Sequence, residues 1–163
     1  MAKSSKVSAT PATVWLKQHG FVFSEHAYDY VDHGGANWAA EALGLPPEAV
    51  VKTLVMQDER AQPLVVLMHG HREVSTKQLA RDIGVKSVEP CRPEVAQRHS
   101  GYMVGGTSPF GLKKPMPVWV QASVLTMPLM YINGGRRGYL VGLAPEAALS
   151  ALGARAVDCA MAE

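Results

Sequence analysis

The chain has 163 residues, 47% of them hydrophobic and 18% charged, a balance that fits one globular domain and excludes a disordered polymer. Its net charge is only +2, so no general coat of cations marks a nucleic-acid binder; the basic pairs Lys113-Lys114 and Arg136-Arg137, each beside glycines, suit either solvated surface or local phosphate contacts. No apolar stretch reaches the roughly 20 residues of a membrane-spanning helix, and no apolar segment follows Lys3 and Lys6 as in a secretory signal, so a cytoplasmic protein with no membrane partner is expected.

Residues 1–9 are expected to form a flexible terminus to a single domain spanning 1–163. Thr10-Pro11 supplies a helix cap and a first-turn proline, and Gly20 a stop, which predicts a helix over 11–19. The aromatic, alternating run from Phe21 to Tyr30 predicts a strand. VDHGG then reads as a loop, Ala36 to Leu43 as a short helix closed by Gly44, and Pro46-Pro47-Glu48 as a further helical turn. Val50–Gln57 and PLVVLMH, joined by a turn at 58–62, predict a buried hairpin. Ser75 caps a helix over 76–83 that Gly84 ends, residues 85–88 read as a short strand, and Glu94 to His99 as one or two helical turns. The stretch 100–117 is too rich in glycine and proline for regular structure. PVWVQ, LMYIN and YLVGL predict strands, GGRRG a turn between the last two, and Pro145 opens a final helix that Gly153 ends. Alternating helices and hairpins imply an α/β fold, a mixed sheet with helices packed on it.

Lys52 is the first residue that chemistry has to explain. In a strand it shares a face with Val50, Leu54 and Met56, while Val51, Thr53 and Val55 take the other, so its ammonium group lies near apolar surface whichever face is covered. Burying an unpaired charge is costly, which requires a partner or a pocket, unless the stem merely snorkels to water. The loop 100–117 is the second feature. Its length and its glycines at 101, 105, 106 and 111 permit close backbone approach, yet neither the phosphate-loop nor the dinucleotide spacing is present. It reads either as a packed crossover or as a cradle whose N–H groups meet a carbonyl oxygen, a ribose or a developing oxyanion. INGGRRG, residues 132–138, reads equally as a hairpin turn or a pocket rim.

The remaining inventory is thinner. The histidines, including the HGH pair His69 and His71, lack a metal-site spacing, no GxSxG is present, and the two cysteines, Cys91 and Cys159, cannot build a disulfide framework or a zinc cluster alone. Neither metal nor cofactor is expected. A lysine, glycine loops and hydroxyls remain, with no evident nucleophile–base pair.

Three segments, LGLPPEAVVKTLVM (43–56), PEVAQRHSGYMVGGTSPFGLKKPMP (93–117) and YINGGRRG (131–138), resemble in content and order the YbaK family of freestanding aminoacyl-tRNA deacylases. That family is related to the editing domain inserted in bacterial prolyl-tRNA synthetases. The resemblance implies a compact domain with a mixed, mostly antiparallel, barrel-like sheet flanked by helices, and a cleft that takes the aminoacylated 3′ end of tRNA. It implies hydrolysis of the ester of mischarged tRNA, with Cys-tRNA(Pro) or a related small amino acid such as alanine as substrate. Lys52 matches the family's essential lysine. Gly105, Gly106, Thr107, Ser108 and Pro109 match the loop that cradles the substrate carbonyl and terminal adenosine, with the two glycines counted as catalytic. Tyr28 matches an aromatic position lining the cleft, and Thr53, Asn133, Gly134, Gly135 and Arg136 complete the expected substrate contacts. Departures fall at Asn133, where the cysteine-specific members carry serine, at Leu140, which replaces an acidic residue, and in the shorter segment VDHGGANWAAEAL; all bear on the amino-acid side of the pocket.

The aminoacyl ester is already activated, so positioned water or, for cysteine, the substrate's own thiol can replace a protein nucleophile. Two other readings stay open: a non-catalytic module that binds an aminoacyl-adenosine end or a nucleotide, and a subunit docked on prolyl-tRNA synthetase.

Overall fold

The computed structural model of the chain describes residues 9–162, so the expected flexible terminus lies, apart from Ala9, outside the described residues. α1 (Pro11–Gln18) begins where the sequence predicts: the Thr10 hydroxyl accepts the Thr13 N–H, and the Thr13 hydroxyl accepts the Thr10 N–H. α2 (Gly35–Leu43) and α3 (Thr76–Ile83) end at Gly44 and Gly84, the latter capped at its start by Ser75. α4 (Pro93–Ser100), α5 (Ala122–Leu125) and α6 (Pro145–Ala151) complete the helices.

The strands are β1 (Ser24–Ala27), β2 (Val50–Asp58), β3 (Pro63–His69), β4 (Val88–Pro90), β5 (Val118–Gln121), β6 (Met130–Asn133), β7 (Tyr139–Leu143) and β8 (Arg155–Val157). They form one sheet in the order β1-β7-β6-β2-β3-β5-β8, with β4 branching from β2. Four pairings are antiparallel and three parallel, which makes the sheet mixed, and the path runs from β1 to β8 rather than closing on itself.

Two predicted segments come out differently, and two elements are additional. The strand expected over 21–30 shrinks to β1, because the Phe21 N–H closes α1 on Leu16 O, Phe21 and Phe23 pack on the main core, and the Tyr28 N–H turns to Gly138 O. The strand expected over 85–88 begins only at Val88. The Val85 N–H caps α3 on Ala80 O, and those of Lys86 and Ser87 go to the Glu59 carboxylate. The one-turn helix α5 and the strand β8 were not legible; β8 exists through its parallel pairing with β5, Trp119↔Arg155 to Gln121↔Val157.

β2 organises the molecule. One edge pairs with β3 from Val51↔His69 to Gln57↔Pro63. The other edge is shared: β6 pairs parallel with Val50 and Val51, and β4 pairs antiparallel from Met56 to Asp58. Because these two strands diverge, the edge between them is left without a strand at Lys52–Leu54, and the ladder resumes only where the Cys91 N–H reaches Val55 O.

The faces of β2 differ as well. Val51 and Val55 enter the main core, shared with Leu16 of α1, Leu67, Val120, Ile132, Val141 and Leu149 of α6. On the opposite face, Val50 packs with Ala39, Ala40 and Leu140 under α2, whereas Met56 packs with Leu64, Val66, Met68 and Leu79 under α3. Lys52 projects between these two separate clusters.

Candidate active site

The slot in the β2 edge opens into a cleft of about 810 Å³. Lys52 and Thr53 line it, together with Tyr28, Tyr30, Ala36 and Trp38, with Val104, Gly105 and Thr107 of the glycine loop, and with Cys91 and the α4 residues Pro93 and Ala96. A site of this size with a few polar groups among apolar ones has the make-up of a small-molecule or terminal-nucleotide pocket.

Lys52 finds both things its burial demands. Its side chain is 21% exposed, and Nζ lies 3.4 Å from Oε2 of Glu73, whose own side chain is 78% exposed. The Thr53 hydroxyl is buried and has no hydrogen-bond partner among the described residues. A buried polar atom left in this state loses its water without compensation, and it borders the cleft. Burial, with Tyr30 alongside, pushes the Tyr28 phenol above its usual range, so Tyr28 enters the cleft as a neutral hydroxyl. Burial and the nearby Glu89 likewise push the Cys91 thiol up, which keeps it protonated and makes it a poor nucleophile.

The glycine loop has a fixed base and an exposed tip. The Tyr102 hydroxyl donates to Phe110 O at 2.5 Å, and the fully buried Phe110 stacks on Trp15 of α1 at 5.3 Å. Met103 and Val104 are 54% and 43% exposed at the tip. Gly105 has φ +88°, and a Cβ there would lie 2.6 Å from the Tyr30 hydroxyl oxygen. At Gly106 a Cβ would meet the backbone of Arg136 and Arg137 at 2.8 Å, so the loop and the β6–β7 turn touch main chain to main chain.

Asn133 and Arg137 lock that contact. Asn133 Oδ1 accepts the N–H groups of Gly135 (2.6 Å) and Arg136 (3.1 Å), while its Nδ2 donates to Gly105 O at 3.2 Å. Arg137 Nε donates to Val104 O at 2.9 Å, and its guanidinium lies 4.9 Å from the centre of the Tyr30 ring. Both polar ends of the Asn133 amide are therefore spent on shaping the wall.

Of the residues singled out in the sequence, the structure brings Lys52, Thr53, Tyr28, Gly105, Thr107 and Asn133 to the cleft. Gly106, Ser108, Pro109, Gly134, Gly135 and Arg136 do not line it; Gly106, Ser108, Pro109 and Gly134 are buried, whereas Arg136 is exposed outside it. The Gly106 N–H, expected to be free for a ligand, instead donates to Met103 O, and the fully buried Ser108 hydroxyl accepts the Phe110 N–H. Gly134 O accepts the Thr10 hydroxyl, and a Cβ on Gly135 would press on the Thr10 side chain at 3.0 Å. Arg136 lies over the Tyr139 ring at 5.0 Å. In the arginine pair it is Arg137 that faces the cleft, which adjacent identical residues give no means of choosing. Glu73, Tyr30, Trp38 and Cys91 also belong to the cleft without a signal in the linear pattern. His69, half of the HGH pair, is 6% exposed, with one ring nitrogen 2.7 Å from Glu48 O and the other 2.7 Å from Ser123 Oγ, so its ring is committed to packing β3 against α5.

Residues 35–150 match the aminoacyl-tRNA editing domain family. The chain is 33% identical over 151 residues to EbsC of Enterococcus faecalis, provisionally named a Cys-tRNA(Pro)/Cys-tRNA(Cys) deacylase, with 92% of both chains covered. It is 27% identical over 105 residues to the proline–tRNA ligase of Limosilactobacillus fermentum, covering 62% of this chain but only 18% of the ligase. A solved structure provisionally described as a trans-editing enzyme for prolyl-tRNA synthetase superposes with a TM-score of 0.83 at 23% identity, covering 96% of this chain and all of that one, which establishes the common fold. This chain belongs to the aminoacyl-tRNA editing domain family, and to the YbaK-like group that its sequence resembles.

Proposed function

We propose that the protein is a trans-acting deacylase that releases the amino acid from mischarged tRNA, with cysteinyl or alanyl esters on the proline acceptor as its substrates. The observation that carries this reading is Lys52, a charged side chain held inside the cleft of an editing-family chain and facing a glycine-loop wall. Cysteine and the proline acceptor are supported by the name of the EbsC relative and by the match to proline–tRNA ligases.

The chemistry follows from the side chains that are present. The ester carbonyl enters beside Lys52, whose ammonium group stabilises the negative charge that develops on the carbonyl oxygen. The orphan Thr53 hydroxyl and the neutral Tyr28 phenol are the cleft's hydrogen-bonding groups for the terminal ribose. Gly105, fixed by Asn133, sets the backbone wall against which the ester lies. With Cys91 held as a thiol, no protein nucleophile is needed: water attacks an alanyl ester. In a cysteinyl ester the substrate thiol bonds to its own carbonyl carbon, the bond to the ribose oxygen breaks, and the thiol proton passes to that oxygen.

Purified protein incubated with Cys-tRNA and Ala-tRNA bearing the proline acceptor releases free amino acid, or the cyclic thiolactone from cysteine. A folded protein that turns over neither of these, nor seryl- or prolyl-tRNA, refutes the reading. Tight binding of a stable aminoacyl-adenosine analogue in that case would make the chain a binding module instead.

A further inference from the structure

A cleft that receives the 3′ end of an RNA meets phosphate and ribose, and a carboxylate beside Lys52 is at first sight the wrong charge for it. Two carboxylates nonetheless line the cleft, Asp32 and Glu73. Asp32 is a rim residue, its carboxylate 4.0 Å from His33 Nε2, and both side chains are largely exposed at 78% and 94%. Glu73 is equally exposed, at 78%, but differs in its partner: its carboxylate sits 3.4 Å from Lys52 Nζ. Its main chain is also held in place: Glu73 O accepts the Met161 N–H at 2.8 Å, and the next residue, Val74, bridges Ala160. A fixed backbone thus presents a negative group towards the reacting end of the ligand.

The aminoacyl end of such a substrate carries one cation, the free α-ammonium group. Bond lengths of about 1.46 and 1.52 Å place the α-nitrogen about 2.5 Å from the ester carbonyl carbon. A cation and an anion 3.4 Å apart can therefore address the two ends of one aminoacyl unit together. We propose that Glu73 recognises the substrate α-ammonium while Lys52 faces the carbonyl oxygen, which makes the site selective for unblocked aminoacyl esters over N-acylated ones. The inference rests on the reading of the cleft as a deacylase site. In the free protein the Lys52–Glu73 pair holds each charge for the other, and the substrate exchanges that pair for two contacts of its own.

The test compares a proline-acceptor minihelix carrying a free alanyl or cysteinyl ester with its N-acetylated counterpart, each rate being normalised to spontaneous hydrolysis, in wild type, Glu73→Gln and Glu73→Asp. Wild type prefers the free amine, and Glu73→Gln loses about tenfold more in kcat/KM on the free-amine substrate than on the N-acetyl substrate, so that the preference collapses. Glu73→Asp recovers part of that loss, as a retained charge on a shorter arm requires. Equal loss on both substrates would make Glu73 only a support for Lys52 and overturn the inference, as would a wild type with no preference. Absence of turnover on either substrate overturns the deacylase reading and the inference with it.

Discussion

On one face of β2, Val51 and Val55 join a continuous core that runs from α1 to α6; on the other, Val50 and Met56 enter two separate clusters with Lys52 between them. The residue types along both faces are similar, and the neighbours decide the outcome. A continuous apolar layer has no room for an unpaired charge, because the cost of desolvation is met nowhere. A layer split between α2 and α3 leaves a gap in which a lysine can keep its stem packed and its ammonium group against Glu73. The same division recurs at the strand edge, where β6 and β4 diverge and open the slot that becomes the cleft. The cleft on this strand lies where packing is interrupted.

The largest effect is expected at Lys52. Lys52→Ala is expected to lower kcat/KM on order of 10²–10³-fold, the scale for removing one stabilising group at a developing oxyanion, with the melting temperature close to wild type. A variant that unfolds, or one that retains near-wild-type turnover, breaks the contrast between the two faces. The converse change is Leu67→Ala, on the neighbouring strand and fully buried in the continuous core. It should cost about 2–4 kcal/mol in denaturant unfolding without a specific effect on KM in the fraction that remains folded.

Asn133 offers a finer probe, since its two amide ends perform separate tasks. Asn133→Ala should reduce turnover about tenfold by releasing Gly105 and the turn together. Asn133→Asp keeps the acceptor for Gly135 and Arg136 but loses the donor to Gly105 O, so a rate between alanine and wild type assigns the remainder to the glycine-loop contact. The smallest effect concerns the two thiols. Burial, with Asp82 and Asp158 nearby, pushes the Cys159 thiol up to about 11, against about 8.5 for a free cysteine. Its thiolate fraction near pH 8 is correspondingly small and grows as the pH rises. Alkylation of the native protein at pH 8, read by mass spectrometry, should therefore modify the half-buried Cys91 of the cleft well before the fully buried Cys159.

Much of the fold could be read along the chain because its signals are local. Thr10-Pro11 starts α1, Ser75 and Gly84 bracket α3, and the continuous apolar runs build the β2–β3 hairpin. Signals that depend on distant partners were missed. Nothing in the residues of β8 marks a strand until β5 lies beside them, and Lys86 and Ser87 leave their expected strand because the Glu59 carboxylate captures their N–H groups.

The candidate site divides in the same way. By itself the sequence determined that Lys52 is a charge among apolar neighbours, that the glycine loop cannot be regular structure, and that Asn133 opens a tight turn; each follows from the chemistry of a few adjacent residues. Only the tertiary structure decided which of these meet in the cleft. It chose Arg137 over Arg136, turned Ser108 inward, set Asn133 to bracing Gly105, and brought Glu73 to Lys52. The physical reason is that periodicity tells which face of an element a side chain takes, whereas facing partners are fixed by strand register and by where one apolar layer stops and the next begins.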